Sequence, residues 1–156
     1  NKESNLNNRE ADIAFRMFRP KQEDLIAKRL EDIQLGLFAS VEYLEKHETP
    51  KDLNDLISHT LIGFDKHLEM LDSIISLGID VKRDTFDIRT DSLLSHIALM
   101  RSGVGIGVTH KNIAKQYSEL KEVATSLDIP PIQYWLVCHR DIHQNNRIRA
   151  FMDFIN

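Results

Sequence analysis

Ala11-Asp12-Ile13-Ala14-Phe15-Arg16, followed by Arg19-Pro20, is the stretch of this chain that says most about its fold. The apolar Ile13 and Phe15, set among small alanines, predict a β-strand that is covered on both faces. An arginine at the carboxyl end of such a strand lies where open α/β sheets bind ligands. Arg16 and Arg19 are therefore candidate ligand-binding residues, and ordinary solvated charges are the alternative.

Length and composition limit what the remaining motifs can mean. The 156 residues suit one large domain or two small lobes, and 42% hydrophobic residues are enough for a packed core. The net charge of −4 lacks the electrostatic footprint of a nucleic-acid-binding surface. Cys138 is the single cysteine, which excludes an internal disulfide and favours a reducing compartment. No apolar run is long enough to span a membrane.

Strand and helix patterns alternate along the chain. Strands are predicted at residues 12–16, 33–39, 61–64, 86–89, 105–109, 120–124 and 134–138. Helices are predicted at residues 41–47, 53–58, 68–77, 92–102, 112–117 and 146–155. This alternation predicts the α/β class with a mostly parallel sheet.

Two motifs favour structural over chemical roles. Gly103-Val104-Gly105-Ile106-Gly107 looks like a phosphate-binding loop, but a helix precedes it and a strand follows, the reverse of a dinucleotide site. Gly103 is therefore predicted to end a helix. His139 and His143 are four residues apart but fall in a predicted loop, so no metal site is expected there.

The sequence contains no recognisable arrangement of catalytic residues. No serine lies in a nucleophile elbow, and Cys138 falls inside an apolar strand, where a small core residue is expected. The segment Arg89-Thr90-Asp91-Ser92 is more informative, because Thr90 or Asp91 would cap the helix that follows. Backbone N–H groups at such a helix start, with two hydroxyls, could hold a carboxylate or phosphate. A capped helix without a ligand is the alternative.

Taken together, these segments resemble the effector domain of a LysR-type transcriptional regulator. The resemblance covers the chain from about residue 5 and rests on the order and spacing of several segments. They are Ala11–Arg16 with Arg19-Pro20, Leu35–Ser40, Tyr43-Leu44, Leu61–Asp65, Arg89–Ser92, Arg101–Gly107, Trp135–Val137, His139–Asp141 and Arg147–Phe151.

The resemblance implies a periplasmic-binding-protein-like (type 2) fold, in which crossover strands join two α/β lobes and an inducer binds between them. Residues 36–127 would form the second lobe, and residues 1–35 and 128–156 the remainder of an incomplete first lobe. The family's winged helix-turn-helix, its linker helix and the opening strand–helix–strand of the first lobe are outside this sequence. DNA would therefore be contacted only through that N-terminal domain.

The expected function is that of a cytoplasmic bacterial effector-sensing domain, with no enzymatic activity, no cofactor, no metal and no membrane partner. A solute-binding protein that delivers a small anion to a transporter is the alternative, and a small α/β enzyme ranks behind it. The family also implies a homodimer or higher oligomer. An incomplete first lobe is expected to expose apolar surface around Phe15, Trp135 and Phe151.

If the family layout holds, two groups of residues face the cleft. Arg16, Met17 and Arg19 follow the first-lobe strand, and Thr90, Asp91 and Ser92 begin the second-lobe helix. A small organic anion is the expected effector, because arginine matches a carboxylate and a helix N-terminus favours negative charge. The alternative is that Arg16 is a structural partner of an acidic residue such as Asp87 or Asp91.

Overall fold

The computed structural model describes residues 11–66 and 82–155. The chain divides into two compact units. Unit 1 combines Asn1–Ile33 with Pro131–Asn156, and unit 2 is Gln34–Pro130. The lobes expected from the family divided the chain after residues 35 and 127, and their arrangement around a cleft stays a prediction.

Every strand and helix predicted within the described residues is present, and a strand at Leu25–Arg29 and a short helix at Arg140–His143 are additional. The strands are β1 (Ile13–Arg16), β2 (Leu25–Arg29), β3 (Leu35–Ser40), β4 (Leu61–Gly63), β5 (Ile88–Arg89), β6 (Ile106–His110), β7 (Leu120–Val123) and β8 (Trp135–His139). The helices are α1 (Val41–Lys46), α2 (Leu53–Leu56), α3 (Leu93–Arg101), α4 (Lys111–Ala114), α5 (Arg140–His143) and α6 (Asn146–Phe154). A 3₁₀ turn covers Arg83–Thr85. The helix predicted at residues 68–77 lies outside the described residues.

The sheet of unit 2 has five strands in the order β5-β4-β6-β3-β7 and is mixed, not mostly parallel as predicted. β4 runs parallel to β5 and β6, whereas β3 runs antiparallel to β6 and β7. Three strands of unit 1 form a second sheet, and both of its ladders are antiparallel. The prediction failed because alternating strand and helix patterns do not determine which strands pair.

Unit 2 buries apolar side chains on both faces of its sheet. Neighbouring residues of a strand point to opposite faces. Phe38 of β3 accordingly belongs to one core cluster, with Met100 of α3, and Ala39 belongs to the other, with Tyr43 of α1. The sheet of unit 2 is therefore the central layer between two packed sets of helices.

Gly103 ends α3, as predicted. The helix C-cap is Ser102, and Gly103 has a φ of 74°, in the left-handed region that glycine enters at little cost. Gly103 N donates to Met100 O at 3.2 Å, which satisfies one of the carbonyls at the end of the helix. Gly107 lies within β6, not in a phosphate-binding loop.

Unit 1 is a three-stranded sheet in the order β1-β8-β2, with β8 in the centre. β1 is an edge strand of this sheet, and Phe15 is 47% exposed. The prediction that β1 is covered on both faces is therefore wrong. The central strand is the buried one, since Leu136, Val137 and Cys138 have no exposed surface.

Helix α6 packs on the face of β8 that carries Leu136 and Cys138. Cys138 Sγ contacts Met152 Sδ at 3.4 Å inside this core, which confirms that the cysteine is a small core residue. Lys28 of β2 donates from Nζ to the carbonyls of Met152 and Ile155, both at 2.8 Å. The lysine therefore holds the carboxyl end of α6 against the sheet, where the helix dipole favours a cation.

Candidate functional site

Polar side chains immediately precede the first turn of α3. Ser92 is the N-cap, and its Oγ accepts a hydrogen bond from Ser95 N at 3.3 Å. Thr90 Oγ1 accepts from Ser92 N at 3.2 Å. The prediction that Thr90 or Asp91 caps this helix is therefore wrong by one or two positions. All three residue types can cap a helix, so the spacing alone did not select among them.

Asp91 and Thr90 fix the approach to α3 against the end of β4. Asp91 Oδ1 accepts from the backbone N–H groups of Asp65 and Lys66 at 3.0 and 2.9 Å. Thr90 N donates to Gly63 O at 3.0 Å, which continues the parallel pairing of β4 with β5. Hydrogen bonds consequently connect the loop after β4, the loop after β5 and the start of α3.

Two arginines lie beside the loop after β4 and were not predicted as site residues. The carboxylate of Asp65 forms an ion pair with Arg83, and Arg89 Nε lies 3.6 Å from the same carboxylate. Arg89 also donates to the carbonyls of Arg83 and Phe86, both at 3.2 Å. No pattern in the sequence indicated this, because Arg83 and Asp65 are 18 residues apart and meet only through the sheet.

Under the loop after β4 lies a buried histidine. The ring of His96 stacks on Phe64 with ring centroids 4.8 Å apart and an angle of 9° between the planes. His96 has no exposed surface, and burial lowers its pKa from 6.5 to about 4. The imidazole is therefore neutral at pH 7, directly beside the segment that Asp91 and Thr90 hold.

Arg16 is the last residue of β1 in unit 1, and Met17 and Arg19 follow the strand. The guanidinium of Arg16 lies 5.6 Å from the ring centroid of Phe18, and that of Arg19 lies 5.7 Å from the ring centroid of Trp135. Stacking on an aromatic face restricts a guanidinium while its edge keeps N–H donors for an anion. Met17 is 53% exposed.

The six predicted site residues thus form two local groups, one in each unit. The acidic residues considered as alternative partners of Arg16 both accept backbone hydrogen bonds within unit 2. Leu61 N donates to Asp87 Oδ2 at 2.9 Å, and Asp91 holds the loop after β4. Their side chains stabilise the strand ends of unit 2.

The segment around His139 and His143 is helical, which corrects the predicted loop. His139 is the N-cap of α5, because its Nδ1 accepts from Asp141 N at 3.2 Å. His139 Nε2 also lies 3.5 Å from Asp24 Oδ2. Within residues 11–66 and 82–155, no three His, Cys, Asp or Glu side chains are grouped as metal ligands would be.

Comparison with known proteins identifies the family. A family model described as the LysR substrate binding domain matches residues 3–156. The chain belongs to this family. The HTH-type transcriptional regulator CrgA of Neisseria meningitidis serogroup C (strain 8013) is 29% identical to it over an alignment 161 residues long, which covers 97% of this chain and 52% of CrgA. The chain therefore spans about half the length of that relative.

Solved structures agree with this LysR assignment. The regulatory domain of CrgA from Neisseria meningitidis superposes with a TM-score of 0.79 at 25% identity, over 96% of this chain and 76% of that one. The regulatory domain of AphB from Vibrio vulnificus, at 22% identity, has the same fold with a TM-score of 0.75, over 99% of this chain and 80% of that one. The predicted family and the periplasmic-binding-protein-like (type 2) fold class are confirmed.

These relatives are transcriptional regulators, and the solute-binding alternative is not favoured. Among the described residues, no helix is long and apolar enough to cross a membrane.

Proposed function

We propose that this LysR substrate-binding domain senses a small organic anion and thereby controls DNA binding by a helix-turn-helix domain of the same regulator, in the cytoplasm and without catalysis. The observation that carries the proposal is the family match across residues 3–156. The start of α3 adds chemical detail, since its N-terminal turn favours negative charge and is held in place by Asp91 and Thr90.

The proposed ligand contacts differ in role. Arg16 and Arg19 supply guanidinium donors, and the aromatic rings beneath them restrict their conformations. Thr90 and Ser92 supply hydroxyls at the start of α3, and Met17 supplies apolar contact. The carboxylate of Asp91 accepts two backbone hydrogen bonds, so we assign it to shaping the loop. The interlobe cleft stays the prediction that the family resemblance made.

Calorimetry tests these roles. Small mono- and dicarboxylates are first screened against the full-length protein by thermal shift, and the best one is then titrated into variants. A charge-assisted hydrogen bond contributes about 1.5–3 kcal/mol, so R16A and R19A should each weaken binding about tenfold or more. T90V keeps the side-chain shape and removes the hydroxyl. R147A, on the exposed face of α6, is the matched control.

Unchanged affinity in folded R16A, R19A and T90V would show that the anion binds elsewhere. If no carboxylate shifts the melting temperature, the proposed effector class is wrong even though the family assignment stands.

We also propose that the 156-residue chain does not bind DNA by itself and that DNA binding requires other residues of the regulator. The net charge of the chain is −4, which opposes contacts with DNA phosphates. In a gel-shift assay with the operator, the full-length protein should bind and the 156-residue chain alone should not. Tight, salt-sensitive binding by the chain alone would contradict this.

Self-association is the third part of the proposal. Phe15, Phe18 and Phe151 are 47%, 45% and 40% exposed in unit 1, and Trp135 is partly buried. Exposed apolar patches of this kind usually meet a partner. Light scattering should report a dimer or larger species, and a monodisperse 18.1 kDa particle of the chain at high concentration would argue against it.

A further inference from the structure

The core of unit 2 contains three buried polar atoms without hydrogen-bond partners among the described residues. They are both ring nitrogens of His96 and the hydroxyl of Thr109. His96 is on α3, and Thr109 is on β6. Buried polar groups are nearly always hydrogen-bonded, so a histidine left in this way within a core requires a physical explanation.

The slot that holds His96 is tightly shaped. A methyl group at position 107 would lie 2.6 Å from His96 Nε2 and 2.9 Å from Met100 Sδ, so only glycine lets α3 approach β6 this closely. On the other side, the ring of Phe64 lies parallel to the imidazole. His96 thus fills the space between a strand and an aromatic ring, and neither of its ring nitrogens has a hydrogen-bond partner among the described residues.

On the described elements around this slot, the charged groups do not face His96. Helix α3 packs against β3, β4 and β6. β3 and β4 carry no charged side chain, and Asp65, just beyond β4, is paired with Arg83 and Arg89. His110 ends β6 and, by strand alternation, points to the face opposite Gly107. Arg101, at the far end of α3, is bonded to Glu119.

We propose that His96 is a proton-sensitive element of unit 2, and that its protonation releases α3 and Phe64 from the sheet. Because Phe64 lies between Gly63 and Asp65, which Thr90 and Asp91 hold, this release also loosens the loop that begins α3. Acidification would therefore weaken the segment to which we assign anion binding. The proton-driven release itself does not depend on that assignment.

The direction of the pH effect follows from linkage. Burial lowers the pKa of folded His96 to about 4, whereas an opened segment exposes a histidine with the ordinary value of 6.5. Protons then favour the open form as the pH falls below 6.5, and the effect levels off near pH 4. Between pH 7.5 and 5.5, the equilibrium constant for opening should rise about tenfold.

Hydrogen exchange of the full-length protein at pH 7.5 and 5.5, corrected for the intrinsic exchange rates, measures this opening. Amides of α3 and β6 should open about tenfold more at the lower pH, and H96L should remove most of that difference. H143Q, on α5 of unit 1, is the control and should keep it. H110Q tests His110 at the end of β6, whose pKa is also lowered by burial.

The proposal is wrong if H110Q rather than H96L flattens the pH dependence, or if wild-type α3 and β6 open equally at both pH values. If H96L does not fold, an NMR titration of the wild-type imidazoles decides. A resonance of folded His96 that titrates below pH 5 supports the proposal, and one that titrates near 6.5 overturns it.

Discussion

Unit 2 and unit 1 use their sheets in different ways. The five-stranded sheet of unit 2 is packed on both faces, and the members of its two core clusters range from Leu37 to Leu127. Unit 1 has three antiparallel strands and one core cluster, formed between β8 and α6. Among the described residues, every phenylalanine that is at least 36% exposed belongs to unit 1. Unit 2 therefore derives its stability from a closed core, and unit 1 from a few specific contacts.

The largest expected effect is a cavity in unit 2. Met100 has no exposed surface and lies in the core cluster with Phe38 and Ile97. M100A should lower the free energy of unfolding by about 2–5 kcal/mol, measured by urea denaturation. F154A in unit 1 is the control, because Phe154 is 80% exposed. Comparable losses of unfolding free energy in the two variants would contradict the packing difference between the two units.

The next effect tests a specific contact of unit 1. K28M keeps the aliphatic stem and removes two hydrogen bonds from Lys28 Nζ to the carbonyls at the end of α6. A hydrogen bond from a charged group contributes about 1.5–3 kcal/mol, so exchange of the α6 amides should speed up correspondingly. K21M, at an exposed position, should leave them unchanged. If α6 is equally protected in K28M, the lysine is not what holds this helix.

Backbone strain at the end of α3 should have a smaller effect. G103A places a Cβ on a residue with a φ of 74°, which costs about 1–2 kcal/mol of unfolding free energy. G103N should lose less, because asparagine enters the left-handed region more readily. Equal losses for alanine and asparagine would point to a steric clash with Ser40 Oγ instead, which lies 3.3 Å from the position of the added Cβ.

The smallest effect is expected at the start of α3. S92A removes the N-cap acceptor of Ser95 N and should cost about 1 kcal/mol by denaturation. S92D keeps an acceptor and should recover most of this loss. S95A serves as the control, since Ser95 uses only its backbone in the cap. A neutral S92A would show that Thr90 and Asp91 alone hold the loop.

The elements of this fold that were predictable have strong local signals. Helix α3 combines apolar spacing with Gly103 at its end, and the structure places its ends within one residue of the prediction. β2 was missed, because Leu25-Ile26-Ala27-Lys28-Arg29 has no alternation of apolar and polar residues. Strand direction was missed as well, since pairing is decided by contacts between residues that are distant in the chain.

The sequence predicted which residues belong to the candidate site, but not the role of each one. Thr90, Asp91 and Ser92 stand together in the sequence, but the division of roles among them depends on Gly63 and Asp65, which join through the sheet. His96 reads as one polar residue in an apolar helix. Its burial against Gly107 depends on the approach of α3 to β6, which no local pattern specifies.

The antiparallel ladders of unit 1 impose an order on folding during synthesis. Within the part of the chain that the structure describes, β1 and β2 each pair with β8, and Lys28 meets Met152 across a separation of 124 residues. All the strands and helices of unit 2 have been made once Pro130 leaves the ribosome, so the core of unit 2 can form first. β1 and β2 stay unpaired with β8 until β8 and α6 have been made. Closing so long a loop is slow, and an unpaired strand with exposed phenylalanines is prone to aggregate in the meantime.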